Sequence, residues 1–157
     1  MPILNPEVDY PAELRSLRKV YVDSTPWQRY GIIKRRLAHE EIGPVRMCTM
    51  VSAVEALARS IVLQHEVDQG ADRDTVYRRI WRDGPQKLTE RALAIHGRTI
   101  ESAGFAGDAW ALFLLANEFR NLVMHECTYL GQDKFPSLIA GAENVLAVLV
   151  RTAGLEQ

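Results

Sequence analysis

Residues 45–68 read VRMCTMVSAVEALARSIVLQHEVD, and the fold turns on this stretch. Met47, Met50, Val51, Val54, Leu57, Ala58 and Ile61 recur at intervals of three and four, which puts their side chains on one face of a long α-helix. Gly43-Pro44 opens the run and Gly70 closes it. Upstream, Thr25-Pro26 supplies a cap and a first-turn proline for a helix over about Trp27 to Glu41, with Tyr30, Ile33 and Leu37 inward. Downstream, Asp72 or Asp74 caps a short helix carrying Val76, Tyr77, Ile80 and Trp81, stopped by Gly84-Pro85. A second short helix runs from about Gln86 to His96, ended by Gly97.

Asp108 is placed to cap a helix from about Ala109 to Thr128, and Gly131 and Asp133 turn the chain after it. The last helix, about Pro136 to Ala153, carries Leu138, Ile139, Ala142, Val145, Leu146 and Leu149. No segment alternates apolar and polar residues between hairpin turns, so no sheet is expected. These signals predict an all-α fold, an antiparallel four-helix bundle with short helices inserted between the second and third main helices. Residues 25–157 make the helical domain. Residues 1–24, interrupted by Pro2, Pro6 and Pro11, are an arm expected to pack on the domain or on a partner, in which Glu13 to Val20 can form a short helix.

The chain has 157 residues, 47% apolar and 25% charged, enough for one core. A net charge of -1 excludes whole-protein attraction to nucleic acid, so such binding would need a local patch. Fifteen arginines stand against four lysines, a bias that suits bidentate phosphate contacts and that a GC-rich genome also produces. Cys48 and Cys127 form neither a disulfide framework nor a zinc site and are expected as small buried hydrophobes. The first residues lack a signal-peptide layout, and the apolar run Ala109 to Ala116 is far short of the roughly 20 residues of a membrane span. The expectation is a soluble, cytoplasmic protein. His39-Glu40-Glu41 and His65-Glu66 do not complete a His-Glu-x-x-His motif, so neither metal nor cofactor is expected.

Chemistry concentrates in one place. Asn117-Glu118-Phe119-Arg120-Asn121-Leu122-Val123-Met124-His125-Glu126 sets a guanidinium, an amide and an imidazole in an otherwise apolar helix. At about 100° per residue, Leu112, Phe119 and Val123 should face the core, while Asn117, Glu118, Asn121 and His125 share the opposite side. Arg120 lies about 100° round from Asn121 and would reach back with its long stem. Trp110, Leu114 and Met124 frame the polar strip, as in a lined cleft or an interface. An imidazole, ordinarily titrating near 6.5, can take a proton from a ribose 2′-hydroxyl or give one to a leaving oxygen. A guanidinium holds phosphate and offsets the charge of the pentavalent state. Asn121 can orient either the imidazole or a phosphate oxygen. Because the nucleophile is the RNA's own hydroxyl, the reaction needs no metal and leaves DNA intact.

The pattern Arg120-Asn121…His125 resembles that of the HEPN superfamily, whose ribonucleases place a histidine four to six residues beyond an arginine, often with a polar residue directly after the arginine. The resemblance rests on these residues and the order of the helices. It implies a helical bundle with the motif on a late helix, and a homodimer in which two motifs face one cleft. It also implies a metal-independent endoribonuclease of the toxin or phage-defence kind. One branch of the superfamily pairs with nucleotidyltransferase antitoxins that modify a tyrosine just after the histidine. Tyr129 resembles that acceptor, which would imply a cognate antitoxin. The same spacing also occurs at Arg91…His96 and Arg59…His65, but Ala92 follows Arg91, and Glu55, one turn before Arg59, is its simplest partner.

Glu118 can fix His125 or an arginine, with Asn117 beside it. Arg78, Arg79 and Arg82, near Tyr77 and Trp81, and Arg35 with Arg36 are the candidate RNA contacts. The rival readings are a catalytically silent module that binds nucleotide, RNA or a protein in the same cleft, and a structural dimer in which Arg120 pairs with an acidic residue such as Glu118 across the interface.

Overall fold

Residues 45–68 do form the central helix. In the computed structural model, which describes residues 5–156, seven helices and no strand form: α1 (Tyr10–Asp23), α2 (Pro26–Leu37), α3 (Gly43–Asp68), α4 (Arg73–Ile80), α5 (Pro85–Ile95), α6 (Ala109–Glu126) and α7 (Phe135–Thr152). The architecture is an all-α helical bundle. α3 packs against α2, α4, α5, α6 and α7, and α6 lies along α7. Met47, Met50, Val51, Val54, Leu57, Ala58 and Ile61 are all buried, and Ser60, Val62 and Leu63 join them, so the stretch from Leu57 to Leu63 is enclosed on nearly every side. By length and apolarity alone α3 and α7 could cross a membrane, but 61% and 50% of those windows are buried in the bundle. Apolar positions spent that way belong to core helices.

The helix ends follow local chemistry. Thr25 Oγ1 accepts from the Gln28 amide at 3.2 Å while Gln28 Oε1 accepts from the Thr25 amide at 2.9 Å, a reciprocal capping box. Asp72, rather than Asp74, caps α4: one carboxylate oxygen accepts from the Thr75 hydroxyl at 2.7 Å and its amide at 3.0 Å. Those bonds hold the Asp72 carboxyl below its usual range. Two ends fall short of expectation. α2 stops at Leu37 rather than Glu41, because Arg46 takes up the Leu37 carbonyl at 3.0 Å and Arg36 reaches across the turn to both oxygens of Glu41. α6 stops at Glu126, where Cys127 turns left-handed at φ 50°.

The helix of the N-terminal arm is longer than expected. Pro11 lies in the first turn of α1 rather than breaking it, and Asp9 caps that helix by accepting from the Ala12 amide at 3.0 Å. The result is a fourteen-residue helix that rests on α4. Arg73 fastens its end, donating to the Val22 carbonyl at 3.2 Å and to Gln64 of α3 at 2.7 Å. Pro2 and the rest of residues 1–4 lie outside the described residues.

α6 and α7 approach most closely at Gly141. A Cβ there would lie 2.6 Å from Cβ of Leu112 and 3.1 Å from the Ala109 carbonyl oxygen. Neither atom belongs to a flexible side-chain end, so the two helices would have to separate. Gly141→Ala should therefore lower stability by roughly 1–3 kcal/mol, read as a reduced urea midpoint. An unchanged midpoint would show that the helices can part without cost.

Candidate active site on helix α6

The environment of α6 differs from that of its partner α7. α7 buries Leu138, Ala142, Val145, Leu146 and Leu149 among others, whereas α6, although apolar, buries only Ala109, Phe113 and Ala116. Its core face is thus centred on Phe113 and Ala116, with the expected inward residues Leu112, Phe119 and Val123 half-buried at the edge. The apolar frame also differs from expectation. Trp110 is half-buried and stacks on Phe105 with ring centroids 5.3 Å apart, and Leu114 packs on the core. The large apolar residues that α6 turns outward are Leu115 (44% exposed), Leu122 (46%) and Met124 (67%).

Arg120 does not reach back toward His125. Five helical residues put the two about 140° apart, and the guanidinium turns inward to α3. Its Nη1 donates to Glu55 Oε2 at 2.9 Å, with Ser52 Oγ at 3.4 Å, and its Nη2 donates to Asn117 Oδ1 at 3.0 Å. The other oxygen of Glu55 accepts from Arg59 Nη2 at 2.7 Å, the pairing expected from their spacing on α3. One carboxylate is therefore shared by two guanidiniums. All three side chains are largely withdrawn from water, at 16% exposed for Arg120, 17% for Arg59 and 19% for Glu55. Charge-assisted bonds there are stronger than at an open surface. The acidic partner of Arg120 is Glu55 of the same chain, not Glu118, which is exposed.

His125 is exposed in the last turn of α6, and Asn121 is exposed one turn before it. The motif thus brings Arg120 and Asn117 together and leaves Asn121 and His125 on the outer side, with Leu122 and Met124 around them. Tyr129 is not on the helical face of His125, since α6 has already ended; it stands 91% exposed in the following loop. Cys127, expected in the core, is exposed, and Cys48 is half-buried.

The candidate RNA contacts are dispersed. Arg79 is engaged by Glu66, which also accepts from Arg91 at 3.0 Å, tying α3, α4 and α5 together. Arg36 is spent on Glu41. Arg78 lines a cleft of about 420 Å³ with Arg18 and Trp81, and the Arg82 guanidinium lies 5.0 Å from the Trp81 ring centre. Arg35 is exposed on α2. Glu55 is the site residue whose role the sequence hides: its pairing with Arg59 is local, but its bond to Arg120 spans 65 residues.

Glu55→Gln should destabilise the protein by on the order of 2 kcal/mol, because it leaves two half-buried guanidiniums facing each other; urea unfolding measures it. The cysteines offer a second test. Burial pushes the Cys48 thiol above its usual range, whereas Cys127 is open to solvent. Under native conditions a thiol reagent should label Cys127 first, with Cys48 lagging and catching up as pH rises. Equal rates at neutral pH would contradict this. No protein-family model, curated protein or solved structure matches this chain.

Proposed function

We propose that this chain is a metal-independent endoribonuclease that acts as a homodimer through the outer face of α6, with Arg120, Asn121 and His125 as its catalytic set. The observation that carries this reading is the division of the motif. Arg120 is fixed by Glu55 and Asn117, while His125 and Asn121 stand free among exposed Leu115, Leu122 and Met124. An apolar helix face with a histidine at its end fits a surface that a second copy covers. Two copies would then bring two imidazoles to one cleft.

In that cleft the 2′-hydroxyl oxygen attacks the adjacent phosphorus. A neutral His125 takes the hydroxyl proton as the new P–O bond forms. The bond to the 5′-oxygen breaks, and the partner copy's imidazolium protonates the departing oxygen. The products are a 2′,3′-cyclic phosphate and a 5′-hydroxyl. Asn121, one turn before His125, would orient imidazole or phosphate, and Arg120 would have to exchange Glu55 for the phosphate to offset the charge on the phosphoryl oxygens. The toxin or phage-defence setting and an antitoxin acting on Tyr129 belong to the same proposal and rest on the superfamily resemblance; a cytoplasmic location is part of the proposal on sequence grounds alone.

A second reading has its own support. The Arg120 guanidinium already has carboxylate and amide partners, as it would in a silent binding module where it only pins α6 to α3. Cleavage of a labelled structured RNA in EDTA separates the two. Wild type should release cyclic phosphate ends, and His125→Ala should cut about 10²–10⁴-fold more slowly with unchanged stability. Arg120→Ala should lose both cleavage and stability. Leu122→Glu should shift sedimentation toward monomer and reduce cleavage. Absence of cleavage by folded, dimeric wild type on several RNAs would leave the silent module standing.

A further inference from the structure

We propose that Arg29, Arg59, Ser60, Tyr21 and Tyr77 form a binding pocket for a phosphomonoester, built where α1, α2, α3 and α4 meet and separate from the His125 face. These residues line a cavity of about 150 Å³. Two polar atoms of its lining are buried without a hydrogen-bond partner, Nε of Arg59 and Oγ of Ser60, and Ser60 is only 4% exposed. Buried donors are normally satisfied, and two unsatisfied ones beside one cavity are polar capacity that the fold itself does not use.

Charge points to the class of ligand. The half-buried Arg29 guanidinium lies 4.2 Å from the Tyr21 ring centre, and its charged neighbour is Arg59 rather than a carboxylate. Burial and that neighbouring charge together hold Arg29 below the usual arginine range, so an anion here would relieve both. Among the described residues, Glu55 is the carboxylate bonded to this group, and it serves Arg59 and Arg120. Arg29 and Arg59 line the pocket, and the one carboxylate bonded there is shared with Arg120, so the pocket carries surplus positive charge. A phosphomonoester near neutral pH carries close to two negative charges on three acceptor oxygens. A carboxylate ligand would supply half that charge and fewer acceptors for the two guanidiniums and three hydroxyls of the wall.

The cavity adjoins a groove of about 370 Å³ between α2 and α3, with which it shares Tyr21, Arg29 and Ala56. Ile32, Ile33 and Ala53 give that groove an apolar side, and Thr49 and Ser52 a polar one. Together the two spaces fall within the size range of small-molecule sites. The phosphate would sit against Arg29 and Arg59, and the organic body would extend along the groove.

Isothermal titration calorimetry on the full chain tests the assignment with inorganic phosphate, adenosine 5′-monophosphate and adenosine. Phosphate and the monophosphate should bind, the monophosphate more tightly, and adenosine should not. Arg29→Gln should weaken the monophosphate by roughly tenfold to a hundredfold, whereas Arg15→Gln, an exposed change of equal charge on α1, should leave it unchanged. Circular dichroism confirms that both variants fold. Short DNA with a 5′-phosphate or a 5′-hydroxyl, inert to 2′-hydroxyl chemistry, distinguishes the source. Binding of the phosphorylated strand assigns the pocket to polynucleotide ends, and binding of the free monophosphate alone assigns it to nucleotides. No heat from either phosphate, or equal affinity in Arg29→Gln and wild type, overturns the proposal. Neither result depends on whether the chain cleaves RNA.

Discussion

The carboxylate of Glu55 is the polar joint on which the bundle and its candidate sites depend. α3 is otherwise committed to the core, and its polar strip is narrow, running from exposed Ser52 past the half-buried Glu55 to Arg59. From that strip Glu55 holds Arg59 on its own helix and Arg120 on α6. The apolar contacts of α6 are few for its length, since Ala109, Phe113 and Ala116 alone are fully buried. An ion pair of the kind Arg120 makes therefore fixes the rotation of α6 in a way that non-directional apolar packing does not. Which residues of α6 face outward, His125 and Leu122 among them, follows from that rotation.

The helices were legible because their signals are local. The three-and-four spacing from Met47 to Ile61, the Thr25-Pro26 start and the stop at Gly97 each lie within a few residues of the element they define. α1 was harder to read because prolines count as breakers until one of them proves to occupy the first helical turn, as Pro11 does. The direction of Arg120 was not legible at all. A helical wheel gives the angle at which a side chain leaves its helix, but a long guanidinium bends toward whichever carboxylate the tertiary fold supplies, and Glu55 is 65 residues away in sequence. The same limit hid the pocket, whose walls come from four helices. Cys127 was misplaced for a smaller reason: the apolar pattern runs past the end of α6, and the left-handed turn that stops it carries no glycine to announce it.

Arg59 joins the two candidate sites. Its Nη2 is held by Glu55, and its Nε faces no partner beside Ser60. A divalent anion settled between Arg29 and Arg59 would compete with Glu55 for the same guanidinium. Glu55 would then be left more fully to Arg120, since the two bonds it now divides would become one. Charge held in the pocket would in this way tighten, rather than loosen, the joint that sets α6, and the effect would travel through a single shared carboxylate without any helix having to move. Two sites coupled so closely should not be treated as independent, because neighbours within one ion-pair network do not contribute additively. A substitution at Arg59 would reach both, whereas one at Arg29 or at His125 acts on its own side of Glu55.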